Sequence, residues 1–465
     1  MKRALIIIAI VLLIAAVVGV VLLGGLMMNN YAETGSVFGS SPIISGSFWD
    51  KLFGAETPSW LNPDIPTESG TGSVAPPVQA TPGSTYEKDG FLFTLLDDGT
   101  YAVSIKREGD LLDVLYIPES VNGIPVTTIS KPPASHDSYA GDKKIVIPDS
   151  VTKIDQGAFS DFSNLEEVVI GNGVTTIGES AFMGCASLQS IVIPDSVLEI
   201  GRSAFFGCDS LKSVKLSRSL TSIPFLAFAD TPISYIELHE GITSIERGAF
   251  KDCVHLTKIF IPSSVEFIDS TAFMGTDSLE SIEVDSKNPY YYSHGNCLIQ
   301  TDTRSLIKGC KNSEIPQEVT EIGDYAFTNS SITQVIIPNG VTRIGMDAFR
   351  GCKELLSIEI PSNVKTIEQD AFYHCESLKE IILNEGLEQI GGGAFSNCKA
   401  LERIVIPSSV SNISTHAFSS CYSLKSISLL GQIKIGDSAF YNCTALENID
   451  LAYATVIKNG AFYYC

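Results

Sequence analysis

Nine of the eleven cysteines, Cys185, Cys208, Cys253, Cys352, Cys375, Cys398, Cys421, Cys443 and Cys465, stand three residues after a phenylalanine. Thiols could do three things at such positions: pair as a disulfide framework, ligate a metal, or pack as small apolar groups. A framework would join partners in defined pairs, whereas this is one position recurring along the chain, five times in succession from Cys352 to Cys443. Where the pattern lapses, Asp161, Asp230 or another small residue stands nearby. A zinc site needs three or four convergent ligands. His255 lies two residues from Cys253 and His374 directly precedes Cys375, but neither histidine recurs at the equivalent place in neighbouring units. The recurrence therefore reads as buried free thiols used for packing, with no metal site and no cofactor.

Cys297 and Cys310 fall outside this pattern. They flank "LIQTDTRSLIKG", two apolar arms around a turn, so a hairpin would bring their ends together. A Cys297–Cys310 disulfide is one reading; two unpaired residues of an irregular repeat is the other. The adjacent run Tyr290 to His294, "YYYSH", offers tyrosines suited to contact, or the covering of an enlarged unit over its own core. Nucleophile-elbow, phosphate-loop, H-E-x-x-H and EF-hand patterns do not occur. The acidic residues are scattered rather than paired beside apolar pockets, so no enzymatic activity is expected.

The elements that position the thiols come from a repeat. The pair Ala-Phe occurs with its phenylalanine at 159, 182, 205, 228, 250, 273, 327, 349, 372, 395, 418, 440 and 462, at intervals of 22 or 23 apart from the step 273 to 327. An isoleucine stands five residues before each of them. A unit such as Leu188 to Cys208, "LQSIVIPDSVLEIGRSAFFGC", opens L-x-x-I-x-I and is followed by proline. The two isoleucines share one face of a strand, and Pro194 ends the pairing because it has no N–H to give. Repeats of this length with this opening mark a leucine-rich solenoid, in which neighbouring units must stack to bury their apolar sides. The expected fold is an α/β-type solenoid rich in β, an array of 22–23-residue coils with a parallel β-sheet face.

The third and fifth residues of L-x-x-I-x-I point to the open side of that sheet. Coil by coil they include Tyr235/Glu237, Lys258/Phe260, Gln334/Ile336, Glu380/Ile382 and Arg403/Val405. Apolar side chains recur at the second of these positions more often than a merely solvated sheet requires. Tyr235, Phe260, Ile336, Ile382, Arg403 and Val405 form the candidate protein-binding strip. The competing explanation is that β-branched residues simply favour strands.

Around the array the chain divides into further segments. Residues 4–28 carry no charge over 25 positions, enough to span about 30 Å of hydrocarbon. They read as an uncleaved signal anchor following a stub at 1–3, with Lys2 and Arg3 holding the N-terminus in the cytoplasm and the remainder outside. The alternative is a long signal peptide. Residues 29–85 are rich in Gly, Ser, Thr and Pro and form a linker, interrupted by the apolar island "FWDKLFGAETPSW". Residues 86–147 are expected to form an N-terminal β cap with a first irregular repeat, and 148–465 the solenoid, with an enlarged repeat at 285–316. The chain stops at "GAFYYC", within a unit, and is expected to be a truncated piece of a longer chain. The net charge of −22 argues against nucleic-acid binding.

The unit with isoleucine five before Ala-Phe and cysteine three after resembles the BspA-type leucine-rich repeat family of surface proteins. "DDGTYAVSI…IPESVNGIPVTTI" and "NPYYYSHGNCLIQTDTRSLIKG" also resemble segments found in that family. The resemblance implies display at the cell surface and adhesion to host, matrix or neighbouring-cell proteins. It supplies no binding motif that can be carried over residue by residue.

Overall fold

The computed structural model describes residues 81–106, 112–132 and 142–465. The expected anchor at 4–28 and almost all of the linker lie outside the described residues. Among the described residues, no helix is long and apolar enough to cross a membrane.

The described residues belong to one compact unit, a β-solenoid preceded by an antiparallel meander. Each regular coil makes two strands. The first holds one or both of the L-x-x-I-x-I isoleucines, as in Ser190–Val192 and Lys258–Ile261. The second is only two residues long, as in Glu199–Ile200. Successive coils pair in parallel at both places: Ile191 opposite Val214, and Ile177 opposite Ile200. The isoleucine five before each Ala-Phe therefore belongs to a second ladder. Two residues are too few to show alternation in the sequence, which is why one sheet was expected and two are found.

The α/β expectation is corrected: there is no α-helix among the described residues. The Ala-Phe segment is a run of turns, because the backbone takes positive φ on both sides of the phenylalanine. Around Phe182 these are Ser180 (φ 53) and Gly184 (φ 71). Left-handed residues at that spacing end a helix before it can propagate. They also turn alternate N–H groups sideways: Ser180, Phe182 and Gly184 donate to the carbonyls of Arg202, Ala204 and Phe206 one coil on, each at 2.8 Å. The turns thus stitch neighbouring coils as a ladder would.

Inside these tracks the side chains stand in columns. The Phe327, Phe349, Phe372, Phe395, Phe418, Phe440 and Phe462 rings stack with centroids 5.0–5.4 Å apart. A second stack runs from Phe159 to Phe273. Between the two, Gly309 takes the phenylalanine place: its N–H donates to Ala326 O at 2.9 Å, the bond Phe327 makes to Ala348. A Cβ there would lie 2.1 Å from the Phe327 ring, so only glycine fits.

The irregular unit makes three strands, Tyr291–His294, Cys297–Gln300 and Ser305–Gly309, paired antiparallel and then joined to the second ladder through Leu306 and Ile322. Upstream, Thr85–Lys88, Phe91–Leu95 and Tyr101–Ile105 form an antiparallel meander whose last strand runs parallel to Ile124–Ile129. After the irregular unit the second ladder is continuous, within one ten-stranded sheet from Tyr291–His294 to Ala454–Ile457; before it the ladder breaks between Glu199–Ile200 and Ser222–Ile223. The first is interrupted as well: no ladder bonds join Tyr235–Ile236 to Lys258–Ile261 or Glu380–Leu383 to Arg403–Ile406, and Gln334 to Ile337 makes no strand.

Candidate functional site

Cys185, Cys208, Cys253, Cys352, Cys375, Cys398, Cys421 and Cys443 are buried and free. Each S–H points back to the preceding coil and donates to the phenylalanine carbonyl there, as from Cys208 to Phe182 O (3.2 Å) and from Cys375 to Phe349 O (3.1 Å). The same carbonyl accepts the N–H three residues on in its own coil, Cys185 N to Phe182 O at 3.3 Å. Cysteine suits this position because it is small and apolar and still carries a weak donor. Burial pushes Cys208 up to about 12 and Cys253 up to about 11, away from the reactive thiolate. His255 is exposed, and His374 takes positive φ with its Nδ1 3.3 Å from Glu376. Cys375 points inward meanwhile, so the two do not converge.

The Cys297–Cys310 disulfide is not formed; both residues are buried free thiols. The strand register sets Cys297 opposite Gly309 rather than Cys310. Neighbouring residues of a strand face opposite sides, so Cys310 packs in the core cluster of the preceding coils and Cys297 in that of the following ones.

The candidate strip lies on the outer side of the first ladder. Tyr235, Phe260, Ile336, Ile382 and Val405 are all exposed, from 40% at Phe260 to 83% at Ile336. Phe260 stands beside the Lys258–Glu283 ion pair (2.9 Å), with Tyr235 in the preceding coil. The structure separates this pair of aromatics from the other four residues by the irregular unit.

Ile336, Ile382, Arg403 and Val405 do come together. Two adjoining depressions share Ile382 and Glu380. One, about 300 Å³, is lined by Gln334, Ile336, Ser357, Glu359 and Ile382 among others. The larger, about 680 Å³, lies over the interruption between Glu380–Leu383 and Arg403–Ile406, with Lys379, Glu402, Arg403 and Val405 at its sides. Glu402 is paired with Lys425 at 3.3 Å, and Glu359 accepts from Asn384 Nδ2 at 3.0 Å. Lys379, Glu380 and Arg403 make no ion pair or side-chain hydrogen bond among the described residues.

Sequence reasoning missed the rest of that rim, Lys379, Glu359 and Glu380, because charged residues at solvent positions carry no mark of where the sheet opens. It also missed Tyr116 and Val146, which extend the outward column of Val169 and Val192 into an apolar row at the other end of the ladder. Tyr116 is opposite Val146 and Val146 opposite Val169, with Val192 next in the column. Tyr116, Val169 and Val192 are exposed. The signal was present in "VLYIP" and "KIVIP", which end as the regular strands do but lack the opening leucine.

A family model for the BspA type leucine rich repeat region matches the chain in overlapping segments, 138–253, 175–299, 227–356, 304–425 and 342–465. Among solved structures, a leucine-rich cell surface protein of Faecalibacterium prausnitzii is 27% identical, with a TM-score of 0.55 over 79% of this chain and 94% of that one. A leucine-rich repeat protein of Eubacterium ventriosum (24% identity, TM-score 0.58, 81% and 93% covered) shares the fold. So does the pneumococcal vaccine antigen PcpA (23% identity, TM-score 0.57, 76% and 89% covered). No curated protein matches the chain. The matched segments span more than half of the sequence and coincide with the stacked coils: the chain belongs to the BspA-type leucine-rich repeat family.

Proposed function

We propose that this chain is a non-enzymatic protein-recognition module displayed at the cell surface. In this reading residues 4–28 anchor it as a single-pass membrane protein, the meander at 85–105 caps the solenoid, and the first-ladder face meets a protein of a host, a matrix or a neighbouring cell. The observation that carries the proposal is the pair of depressions around Ile382. There exposed aliphatic side chains lie beside three charged groups without partners, where the first ladder opens between Glu380–Leu383 and Arg403–Ile406. Apolar contact with unspent charge at its edge is the arrangement of a protein interface rather than of a solvated sheet. The leucine-rich cell surface protein of Faecalibacterium prausnitzii supports the surface location by its likeness.

The test is capture of purified matrix proteins and of whole cells by the full chain, compared with Phe260→Asp, Ile336→Asp and Ile382→Asp. All three sites are exposed, so the variants should fold normally, with thermal midpoints near that of the parent. Binding should fall at least tenfold for Ile336→Asp and Ile382→Asp. A chain that captures nothing, or variants that capture as well as the parent, would leave a passive envelope spacer as the function.

A further inference from the structure

Outside the irregular unit and residues 334–337, pairing between consecutive first-ladder strands is lost at two junctions: Tyr235–Ile236 to Lys258–Ile261, and Glu380–Leu383 to Arg403–Ile406. Both have the same cause. At three closed junctions the residue after the strand donates its N–H to the last strand residue of the coil before: Asp285 to Ile261 O (2.9 Å), Leu430 to Ile406 O (3.0 Å) and Asn384 to Ile360 O (3.4 Å). At the two open junctions that residue is Pro262 or Pro407, which has no N–H to give. Pro194 thins the ladder in the same way, leaving only Ser190 opposite Glu167. The second ladder stays paired across both openings, Ser244 opposite Phe267 and Gln389 opposite Asn412.

At both openings a carboxylate crosses instead. The earlier coil carries Glu-Gly and the later one Pro-Ser-Ser. Glu385 accepts the Ser408 N–H and hydroxyl and the Ser409 N–H at 2.9–3.1 Å. Glu240 accepts the same three groups of Ser263 and Ser264 at 3.0–3.2 Å. The glycines that follow, Gly386 (φ 113) and Gly241 (φ 114), donate their N–H groups to the Ser409 and Ser264 hydroxyls at 2.9 and 3.1 Å. Asp149 and Asp195 hold the equivalent position at closed junctions and accept one backbone N–H each, from Asn172 and Arg218. The longer side chain and the larger number of bonds fall where the ladder is missing.

We infer that Glu240 and Glu385 are latches on two hinges of the solenoid: each holds neighbouring coils together where the first ladder does not, and its release lets them part on that face while the second ladder serves as pivot. Charge makes the latch strong, because a carboxylate binds N–H and O–H donors about twice as tightly as a neutral acceptor. It also makes the latch titratable. The Ser408 N–H, with the Ser408 hydroxyl and the Ser409 N–H, holds Glu385 below its ordinary carboxyl range. Its contribution is complete above the ordinary glutamate value and lost as pH falls through the lowered one. No ion pair reaches Glu385 among the described residues: nearby Lys365 donates to Gly386 O at 3.3 Å and pairs with Glu388, and Glu359 accepts from Asn384 Nδ2.

The test uses the full chain with Cys465→Ser, spin-labelled at Gln334→Cys and Asn448→Cys, two exposed sites on either side of the Glu385 hinge; the other thiols are buried. Glu385→Gln keeps the size of the side chain and removes its charge. The Ser408 and Ser409 amides should then exchange about tenfold faster, and the distribution of distances between the labels should broaden. Acid should broaden the parent in the same way and leave Glu385→Gln unchanged. Glu240→Gln, at the other hinge, should alter neither reading. Adding Pro407→Ala to Glu385→Gln returns an N–H toward Leu383 O, so the distribution should narrow again. In the parent, the amide that Pro407→Ala creates should be as protected as that of Leu430, a result that stands even if Glu385→Gln folds poorly. A distribution unchanged by Glu385→Gln overturns the hinge whatever the exchange rates do. Unchanged exchange at Ser408 and Ser409, a parent indifferent to acid, equal broadening by Glu240→Gln, or an unprotected amide in Pro407→Ala overturns it as well.

Discussion

Replacing Phe372 by alanine tests the aromatic column as the main source of cohesion between coils. The ring is fully buried, between Phe349 at 5.0 Å and Phe395 at 5.2 Å, nearly parallel to both. Removing a buried phenylalanine costs about 3–5 kcal/mol. Contact between two such rings contributes a further ~0.5–1.5 kcal/mol per pair beyond burial, which appears as coupling. A solenoid is a chain of nearest neighbours, so the loss should be local. Hydrogen exchange of the full chain should show the Phe349, Phe372 and Phe395 amides, which donate to the next coil at 2.7 Å, opening several kcal/mol more easily. The Phe182 amide, on the far side of the Gly309 gap, should be unaffected. In a double-mutant cycle Phe349→Ala and Phe372→Ala should couple by about 1 kcal/mol, while Phe182→Ala and Phe372→Ala should add independently. Phe462 has one stacked neighbour, Phe440 at 5.4 Å, and is only half-buried, so Phe462→Ala should cost much less. A Phe372→Ala loss below about 1.5 kcal/mol, or one as large at Phe182 as at Phe395, refutes the reasoning.

Three other outcomes follow from described contacts. Brief alkylation of the native chain at pH 8, read by intact mass, should add one label, at exposed Cys465. A thiol raised to about 12, as at Cys208, is ionised only about once in 10⁴ at that pH, before its burial is counted; two or more labels would contradict the packing role. Tyr291→Phe removes the hydroxyl that accepts the buried Ile268 N–H at 2.9 Å, so its unfolding free energy should drop by about 1–3 kcal/mol. An unchanged denaturation midpoint would mean that the amide finds another acceptor. Gly309→Ala drives a methyl into the Phe327 ring and should destabilise by at least about 1–3 kcal/mol. The usual gain from replacing glycine would show instead that the column can shift.

The parts of the fold legible in the sequence were those repeated often enough to fix a position. The columns of Ile, Ala, Phe and Cys, and the register of the first strand, were readable because each residue type recurs where one small volume recurs. The second ladder was not, since a strand such as Glu199–Ile200 has a single inward residue and no alternation to display. Nor was the absence of helix, because Ala-Phe with polar neighbours is acceptable helix sequence. What prevents it is positive φ at residues as varied as Ser180, Leu226 and His416, set by the coil around them rather than by their own preference. For the candidate site, the outward residues could be named from periodicity alone. Their division by the enlarged repeat at 285–316 was set by sequence order; not predictable was that Ile336, Ile382, Arg403 and Val405 lie around two depressions where the first ladder opens.

The interruption between Leu383 and Arg403 affects how the molecule takes a load. On one side the second ladder runs unbroken from Tyr291 to Ile457, and the phenylalanine stack beside it is continuous from Phe327 to Phe462. On the other side the first ladder is cut beneath the larger depression. A beam bonded along one edge and slit along the other bends about its bonded edge and resists stretching. Tension along the axis of the solenoid is carried by the continuous ladder, while a sideways pull opens or closes the slit at Ile382 and Val405. The shape of that surface is therefore coupled to bending of the coils on either side of the slit.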